Sequence, residues 1–319
     1  MEVLTVTMNP ALDREIAIDN FELNKLHRIF DPSRYFMSPG GKGINVSMAL
    51  ANFGIESIAT GVLGGYIGRI VEEELRAYSN LITTNFIHVD GETRENITIV
   101  DDLNGTITEI NAPGPQVDER ALEDFLRRYK MGLSRVKIVV ISGTVPPGVP
   151  LDFYNPLVSM AKEKGKMVIM EARGQLLKNS VYSSCPDVVK PDMRAENRCL
   201  GRDLKVVNDY IEATREILKY GAKLSVISYE YVKDVIGTKD GIWMIETEED
   251  VSKAHLLGTG DTYVAGMVYY LLRKGDDMLG AAEFGYAAAL AKTKYLKKVF
   301  PKLEEIEKAR KTLKIERLM

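Results

Sequence analysis

The sequence predicts an α/β protein of three layers, with a mainly parallel central sheet covered on both faces by helices and a small β flap beside it. Two observations carry this expectation. Short apolar runs rich in β-branched residues alternate with longer segments of helical period over most of the 319 residues. Two stretches interrupt that alternation with extended character and no helical period. A chain of 319 residues corresponds to about two domains at roughly 150 residues each, or to one large α/β domain with an accessory element.

In chain order, residues 2–8 read as a strand, 44–53 as a helix, 57–63 as a strand and 67–79 as a helix. The rhythm resumes with a strand at 136–142 (VKIVVIS), a helix at 151–164, and strands at 166–170 and 187–190. A helix at 205–220, a strand at 223–228 and a helix at 261–273 follow. Strands separated by helices must return by right-handed crossovers, which makes them parallel neighbours in one sheet. Residues 95–111 (ENITIVDDLNGTITEIN) instead form two alternating strands around Asn104-Gly105, a dipeptide that tolerates the positive φ angles of a tight hairpin. Residues 14–36 are extended as well. The expected division is a large domain of 1–13, 37–86 and 113–319 and a flap of 14–36 and 87–112. The alternative is that the hairpin merely forms an antiparallel edge of the main sheet.

Composition excludes several classes. Apolar residues are 45% and charged residues 27%, with 26 Gly and 12 Pro, near the soluble globular average, so disordered and low-complexity classes lose support. Formal charge is −3, with no Lys/Arg run to track a phosphate backbone, so no nucleic-acid partner is expected. No apolar stretch reaches the roughly 18 residues needed to span a bilayer, and the first residues carry no basic leader. No membrane association and a cytoplasmic location are therefore expected. Cys185 and Cys199 lack CxxC spacing, and His27, His88 and His255 are scattered, which fits neither a disulfide framework nor a zinc site.

Two glycine-rich segments could carry chemistry. Ser38-Pro39-Gly40-Gly41-Lys42-Gly43-Ile44-Asn45 leads into a helix, where glycines let a ligand approach the main chain and the helix start offers unpaired N–H groups beside the Lys42 charge. It matches neither GxxxxGK[ST] nor GxGxxG, and by itself it could be only a tight turn. Gly258-Thr259-Gly260-Asp261 opens a second helix. Its consecutive N–H groups make an anion hole, and Asp261 could take a proton from a hydroxyl attacking beside it. A plain helix-dipole role for Asp261 is the alternative.

Taken together these segments resemble the ribokinase-like, or PfkB, sugar kinases. GGKGIN is followed by Ser47, Gly54 and Gly64, and GTGD is followed by Val264-Ala265-Gly266. Thr7-Met8-Asn9-Pro10-Ala11-Leu12-Asp13, Thr93-Arg94-Glu95-Asn96, Asn111-Ala112-Pro113-Gly114-Pro115 and Ser142-Gly143-Thr144-Val145-Pro146-Pro147-Gly148 are similar to the branch that phosphorylates phosphosugars, which includes 1-phosphofructokinase and tagatose-6-phosphate kinase. The resemblance covers nearly the whole chain and implies the ribokinase-like three-layer fold.

The resemblance also implies roles. Asp13, Gly40, Gly41, Lys42 and Asn45 match sugar-holding positions, and Arg94 and Asn96 match flap residues that recognise a phosphate already on the substrate. Lys25 and Arg28 fall where a further phosphate contact is often placed. Asp261 matches the catalytic base, with Gly258, Thr259 and Gly260 as the anion hole. Lys190, Asp192 and Ser228 match nucleotide-side positions; a metal ligand is not assigned. ATP with Mg²⁺ is the implied donor, a ketohexose phosphate the acceptor with fructose 1-phosphate favoured over fructose 6-phosphate and tagatose 6-phosphate, and a homodimer through the flaps the implied assembly.

The sequence departs from the branch mostly on the nucleotide side. Glu171-Ala172-Arg173-Gly174 stands for Asp-x-Ser-Gly, and Lys190-Pro191-Asp192-Met193-Arg194-Ala195-Glu196 for Lys-Pro-Asn-x-x-Glu. Ser228-Tyr229-Glu230-Tyr231-Val232-Lys233 lacks both glycines of Ser-x-Gly-x-x-Gly, and His255-Leu256 replaces a small polar pair. Arg173 could add a charge the branch lacks, or be a solvated surface residue. These departures support an alternative function, a sugar-phosphate-binding sensor that has lost efficient phosphoryl transfer.

Overall fold

A computed structural model of the chain describes all residues other than 195, 196, 231, 252–254, 296 and 297. The chain begins with β1 (Val3–Thr7), β2 (Ala11–Ala17), a short 3-10 turn at Pro32–Arg34 and β3 (Tyr35–Gly40). It continues through α1 (Lys42–Asn52), β4 (Ser57–Gly64), α2 (Gly65–Tyr78), β5 (Ile82–Val89), β6 (Arg94–Asp101), β7 (Thr106–Asn111) and α3 (Glu119–Leu133). Then come β8 (Ile138–Ser142), α4 (Tyr154–Glu163), β9 (Met167–Glu171), α5 (Gly174–Ser183), β10 (Val188–Val189), β11 (Arg198–Cys199), β12 (Arg202–Asp203) and α6 (Val207–Lys219). The last part holds β13 (Leu224–Tyr229), β14 (Lys233–Thr238), β15 (Gly241–Thr247), α7 (Thr259–Lys274), α8 (Met278–Lys292), α9 (Leu303–Arg310) and β16 (Leu313–Arg317).

The large sheet has the order β16-β15-β14-β13-β10-β9-β8-β1-β4-β5. Its pairs from β13 to β5 are all parallel, and β14, β15 and β16 extend it antiparallel. Successive residues of β8 divide between two cores: Ile138 and Val140 pack with α1, α2, α7, α8 and α9, whereas Val139 and Ile141 pack with α3, α4, α5 and α6. That alternation builds the three layers, since side chains of a strand point to opposite faces at every step. No helix among the described residues is long and apolar enough to cross a membrane.

The hairpin does not sit at the edge of this sheet. It belongs to a separate four-stranded sheet of order β3-β2-β6-β7, in which β2 pairs parallel to β6 and antiparallel to β3. The turn at Asn104-Gly105 is a four-residue loop in which only Gly105 has positive φ, at 64°. Asp101 organises it by accepting from the Asn104 amide and side chain and from the amides of Asn20 and Phe21. The two sheets exchange partners a few residues away from the expected boundaries. β5 runs to Val89 in the large sheet, so 87–89 do not join the flap, while β2 takes in Ala11 and Asp13 and β3 runs to Gly40.

Strand order explains where a ligand can go. β1 lies between β8 and β4, so the chain leaves its first strand in opposite directions on the two sides, and the carboxyl ends open a crevice at that switch point. Thr7, Ser142, Glu171 and Lys190 stand at or just beyond those carboxyl ends, and the flap lies over them.

Candidate active site

Two cavities meet at the carboxyl ends of the parallel strands. One, of about 1170 Å³, lies between the flap strands β2, β3 and β6 and the ends of β1 and β8. Six buried polar atoms without a hydrogen-bond partner belong to residues lining it: Thr7 Oγ1, Asn9 Oδ1, Asn45 Oδ1, Asn96 Oδ1, Ser142 Oγ and Asp261 Oδ1. Buried polar groups are almost always satisfied, so such a ring marks space for a ligand rich in hydroxyls.

The start of α7 stands where the two cavities meet. Gly258 caps the helix with φ of 74°, a left-handed conformation that a side chain would disfavour, and it lines the first cavity while Thr259 and Gly260 line the second. Of the expected trio of amides, Thr259 donates to Leu256 O at 3.3 Å, and those of Gly258 and Gly260 have no backbone acceptor among the described residues. A Cβ on Gly260 would come within 2.7 Å of Glu171 Oε1, so no side chain fits between helix and carboxylate.

Asp261 is buried in the first turn, where Asn45 Nδ2 donates to its Oδ2 at 2.7 Å and Lys42 Nζ lies 3.7 Å from its Oδ1. Burial raises its pKa; Lys42 opposes the shift and Glu171 adds to it, leaving the carboxyl above its ordinary range. Lys42 also meets Glu171 Oε1 at 3.4 Å and Asp192 Oδ2 at 3.3 Å. Lys190 Nζ meets the same Glu171 oxygen at 3.3 Å. Burial alone would raise the Glu171 pKa, yet Lys42 and Lys190 outweigh it and hold the carboxylate ionised.

On the flap side Asp13 accepts from Asn96 Nδ2 at 2.8 Å and from Lys298 Nζ at 2.7 Å, and Lys298 also reaches Pro39 O. Burial pushes the Asp13 pKa up, but Lys298 and Asn96 overcome it and the carboxyl titrates below its usual value. Gly40 and Gly41 form the turn from β3 into α1, with Gly41 as the N-cap. Arg94 lines the cleft, but its guanidinium donates to the carbonyls of Asn9 at 3.0 Å and Ala112 at 3.1 Å and more distantly to Pro10 at 3.4 Å, so it braces the wall as well as facing the ligand space. Lys25 and Arg28 are not brought to the cleft of this chain. Both are exposed on the loop between β2 and β3, with Lys25 3.9 Å from Glu22, because that loop has few core residues to pull it down. Lys298 was not singled out from the sequence; it lies in the Lys-rich stretch KTKYLKK, where no spacing marks one lysine over another.

The second cavity, of about 800 Å³, is lined by Lys190, Asp192, Ser228, Thr259 and Gly260 together with Tyr210, Tyr229 and Tyr263. Lys190 Nζ stands 5.3 Å from the Tyr263 ring centre. Arg173 lies elsewhere: it is exposed at the start of α5 and lines the first cavity, not the second. Ala195, Glu196 and Tyr231, part of the departing motifs, lie outside the described residues. Among the described residues no three His, Cys, Asp or Glu side chains are gathered to hold a metal by themselves. Glu171 Oε2 is nonetheless buried without a partner, and Asp192 lies beside it across Lys42. That fits Mg²⁺, which binds through one or two carboxylates with nucleotide phosphates and water completing its shell.

A cleft lined by unpartnered polar atoms, a helix-start anion hole and a buried carboxylate between them fit a kinase acting on a carbohydrate. The family model of pfkB family carbohydrate kinases matches residues 15–301, and the chain belongs to that family. Kinases of this family use ATP, typically with Mg²⁺. Among solved structures, a possible 1-phosphofructokinase from Thermotoga maritima is 50% identical, covers 100% of both chains and superposes with a TM-score of 0.96. A Staphylococcus aureus protein proposed to be a phosphofructokinase is 28% identical over 99% of each chain, TM-score 0.78. Phosphofructokinase-2 from Escherichia coli, 23% identical over 97% of this chain and 98% of its own, shares the fold with a TM-score of 0.85.

Proposed function

We propose that this carbohydrate kinase transfers the γ-phosphoryl group of ATP to a hydroxyl of a ketohexose phosphate, with fructose 1-phosphate the preferred acceptor. The observation that carries the reading is the placement of Asp261 between a cleft ringed by unsatisfied polar atoms and the α7 anion hole. Similarity at 50% identity to a possible 1-phosphofructokinase supports the choice of sugar. Arg94, Lys298 and Lys42 supply the cationic lining that a phosphosugar needs and a free sugar does not.

In this reading the sugar lies on Asp13, Asn45 and Asn96, and the reacting hydroxyl faces Asp261. The hydroxyl oxygen bonds to the γ-phosphorus as its proton passes to Asp261, and the bond from that phosphorus to the ADP oxygen breaks, leaving the electron pair on ADP. The Gly258 and Gly260 amides receive charge on the phosphoryl oxygens, with Lys42 and Lys190 alongside. Mg²⁺, held near Glu171 and Asp192 when the nucleotide is bound, would neutralise phosphate charge. Asp261 acts only when ionised, and burial raises its pKa, so turnover falls as pH drops through that raised value.

The experiment is steady-state turnover with ATP·Mg²⁺ on fructose 1-phosphate, fructose 6-phosphate, tagatose 6-phosphate, fructose and ribose. Preference for fructose 1-phosphate is expected, and Asp261→Asn lowers kcat on the order of 10²-fold or more with KM kept. Preference for a free sugar rejects the acceptor class; near-normal turnover in Asp261→Asn rejects the base. Phosphosugar binding with no turnover on any acceptor would leave the sensor reading.

A homodimer through the flap belongs to the same proposal. Strand alternation turns Asp13, Glu15, Asn96 and Thr98 toward the cleft and leaves Ile97 and Ile110, the latter 56% exposed, on the other face in one cross-strand row with Arg14 and Met37; Arg14 is paired with Glu95, and Met37 also lines the first cavity. Such a partly apolar face on a small sheet is covered best by its own copy in a second chain.

A further inference from the structure

Three residues line both cavities: Lys42, Asp192 and Arg194. They form a chain of contacts that ends at the base. Arg194 Nε lies 3.3 Å from Asp192 Oδ1, Asp192 Oδ2 lies 3.3 Å from Lys42 Nζ, and Lys42 Nζ lies 3.7 Å from Asp261 Oδ1. Arg194 also extends toward the flap, with Nη1 4.0 Å from Glu109 Oε1 on β7. About half of its side chain remains open to solvent, and Nη2 donates to no group among the described residues. A planar fork of donors therefore stands at the passage between the sugar cleft and the nucleotide cavity with one arm unused.

Charge gives that position its purpose. Glu171, Asp192 and Asp261 bring three carboxylates to the passage, and Lys42 and Lys190 bring two cations. Lys292 lies beside Asp261 as a third cation. A triphosphate and a phosphosugar, both anionic, would meet three carboxylates there, and Arg194 adds a cation whose field acts on Asp261, Glu171 and Lys42 as well as on Asp192. Guanidinium also matches phosphoryl oxygens bidentately, which an ammonium cannot do.

We propose that Arg194 is a further catalytic residue, whose guanidinium holds the equatorial oxygens of the phosphoryl group as it crosses from the nucleotide cavity to the sugar cleft. Sugar oxygen to phosphorus is the bond that forms, and phosphorus to ADP oxygen the bond that breaks. Arg194 exchanges no proton; it stabilises charge only. The inference rests on the kinase reading of this cleft but not on the identity of the sugar.

The test compares Arg194→Ala, Arg194→Lys and Glu109→Ala in the full chain, with fructose 1-phosphate and ATP·Mg²⁺ for turnover. Calorimetry with ADP·Mg²⁺, with and without aluminium fluoride as a mimic of the transferring phosphoryl, is the second readout. Arg194→Ala is expected to lower kcat on the order of 10²–10³-fold with little change in KM. It should keep ADP binding, lose the extra affinity given by aluminium fluoride, and recover turnover in part with added guanidinium ion. Arg194→Lys should recover only part of the loss. Normal kcat in Arg194→Ala overturns the proposal, and so does a Glu109→Ala variant that reproduces the loss, which would make the arginine a flap latch. If wild type does not turn over fructose 1-phosphate, the acceptor assignment has failed, and the aluminium fluoride measurement still decides the role of Arg194.

Discussion

At the scale of single residues, Lys298 is the side chain whose removal discriminates best between serving the sugar subsite and blocking it. Its ammonium holds one Asp13 oxygen while Asn96 holds the other. Replacing it by methionine is expected to raise KM for the phosphosugar about tenfold, the loss of one charge-assisted contact of roughly 1.4 kcal/mol, with kcat little changed. A fall in KM would show that the lysine obstructs the subsite. The pH dependence moves in a defined direction. With Lys298 present the Asp13 pKa lies below its usual value; without it Asn96 and Arg94 alone oppose burial and the pKa rises. Substrate binding in Lys298→Met therefore fades at a higher pH on the acid side than in the wild type, which a pH series of kcat/KM measures. Asn45 and Asp261 stand inside glycine-rich segments that mark them in the sequence, whereas Asp13 is marked only through the family resemblance. Lys298 and Arg194 stand at positions that only the folded chain brings to the cleft.

Among the elements, the pair α7 and α8 decides where Asp261 stands. Gly266 lies against α8 so closely that a Cβ there would come 2.8 Å from Ala288 Cβ and 3.0 Å from Gly285 Cα. Gly266→Leu is expected to push the helices apart, destabilising the fold by about 1–3 kcal/mol and lowering kcat as the first turn of α7 shifts, read by thermal melting and by turnover. Unchanged melting and turnover would show that the contact does not position Asp261. α7 announced itself through GTGD, whereas α8 did not, and the reason is physical. Its sequence MLGAAEFGYAAALAK is buried on nearly every side, so no polar face gives it a helical period. β14 and β15 were equally hard to see, because consecutive strands without intervening helices break the alternation that revealed β13 before them, and β5 and α3 were not read from the sequence either. The flap strands were visible from their two-residue period, but not their partners, since the parallel pairing of β2 with β6 joins segments about 80 residues apart, as the 81 residues between Arg14 and Glu95 show.

For the molecule as a whole, the outer face of the flap is the surface to test. Light scattering at micromolar concentration is expected to give a mass twice the chain's 35.6 kDa, and Ile110→Glu, which places a charge at an exposed apolar position of the flap, to return it to the monomer. A monomeric wild type would remove the dimer. The layered architecture was readable at this scale because a sheet buried on both faces must be built from apolar strands and crossover helices, and the chain shows that alternation along most of its length.

The bond between Asn45 and Asp261 joins residues 216 apart, and that between Lys298 and Asp13 joins residues 285 apart. A nascent chain leaving the ribosome therefore exposes its sugar-side motifs long before the residues that complete them have been made. Asp261 and Lys298 arrive only with the later segments, so a partly translated or prematurely terminated chain carries the glycine-rich segment at 38–45 without the groups that complete the cleft. Loop-closure over such separations is slow relative to local helix formation, and activity is accordingly the last property the growing chain acquires.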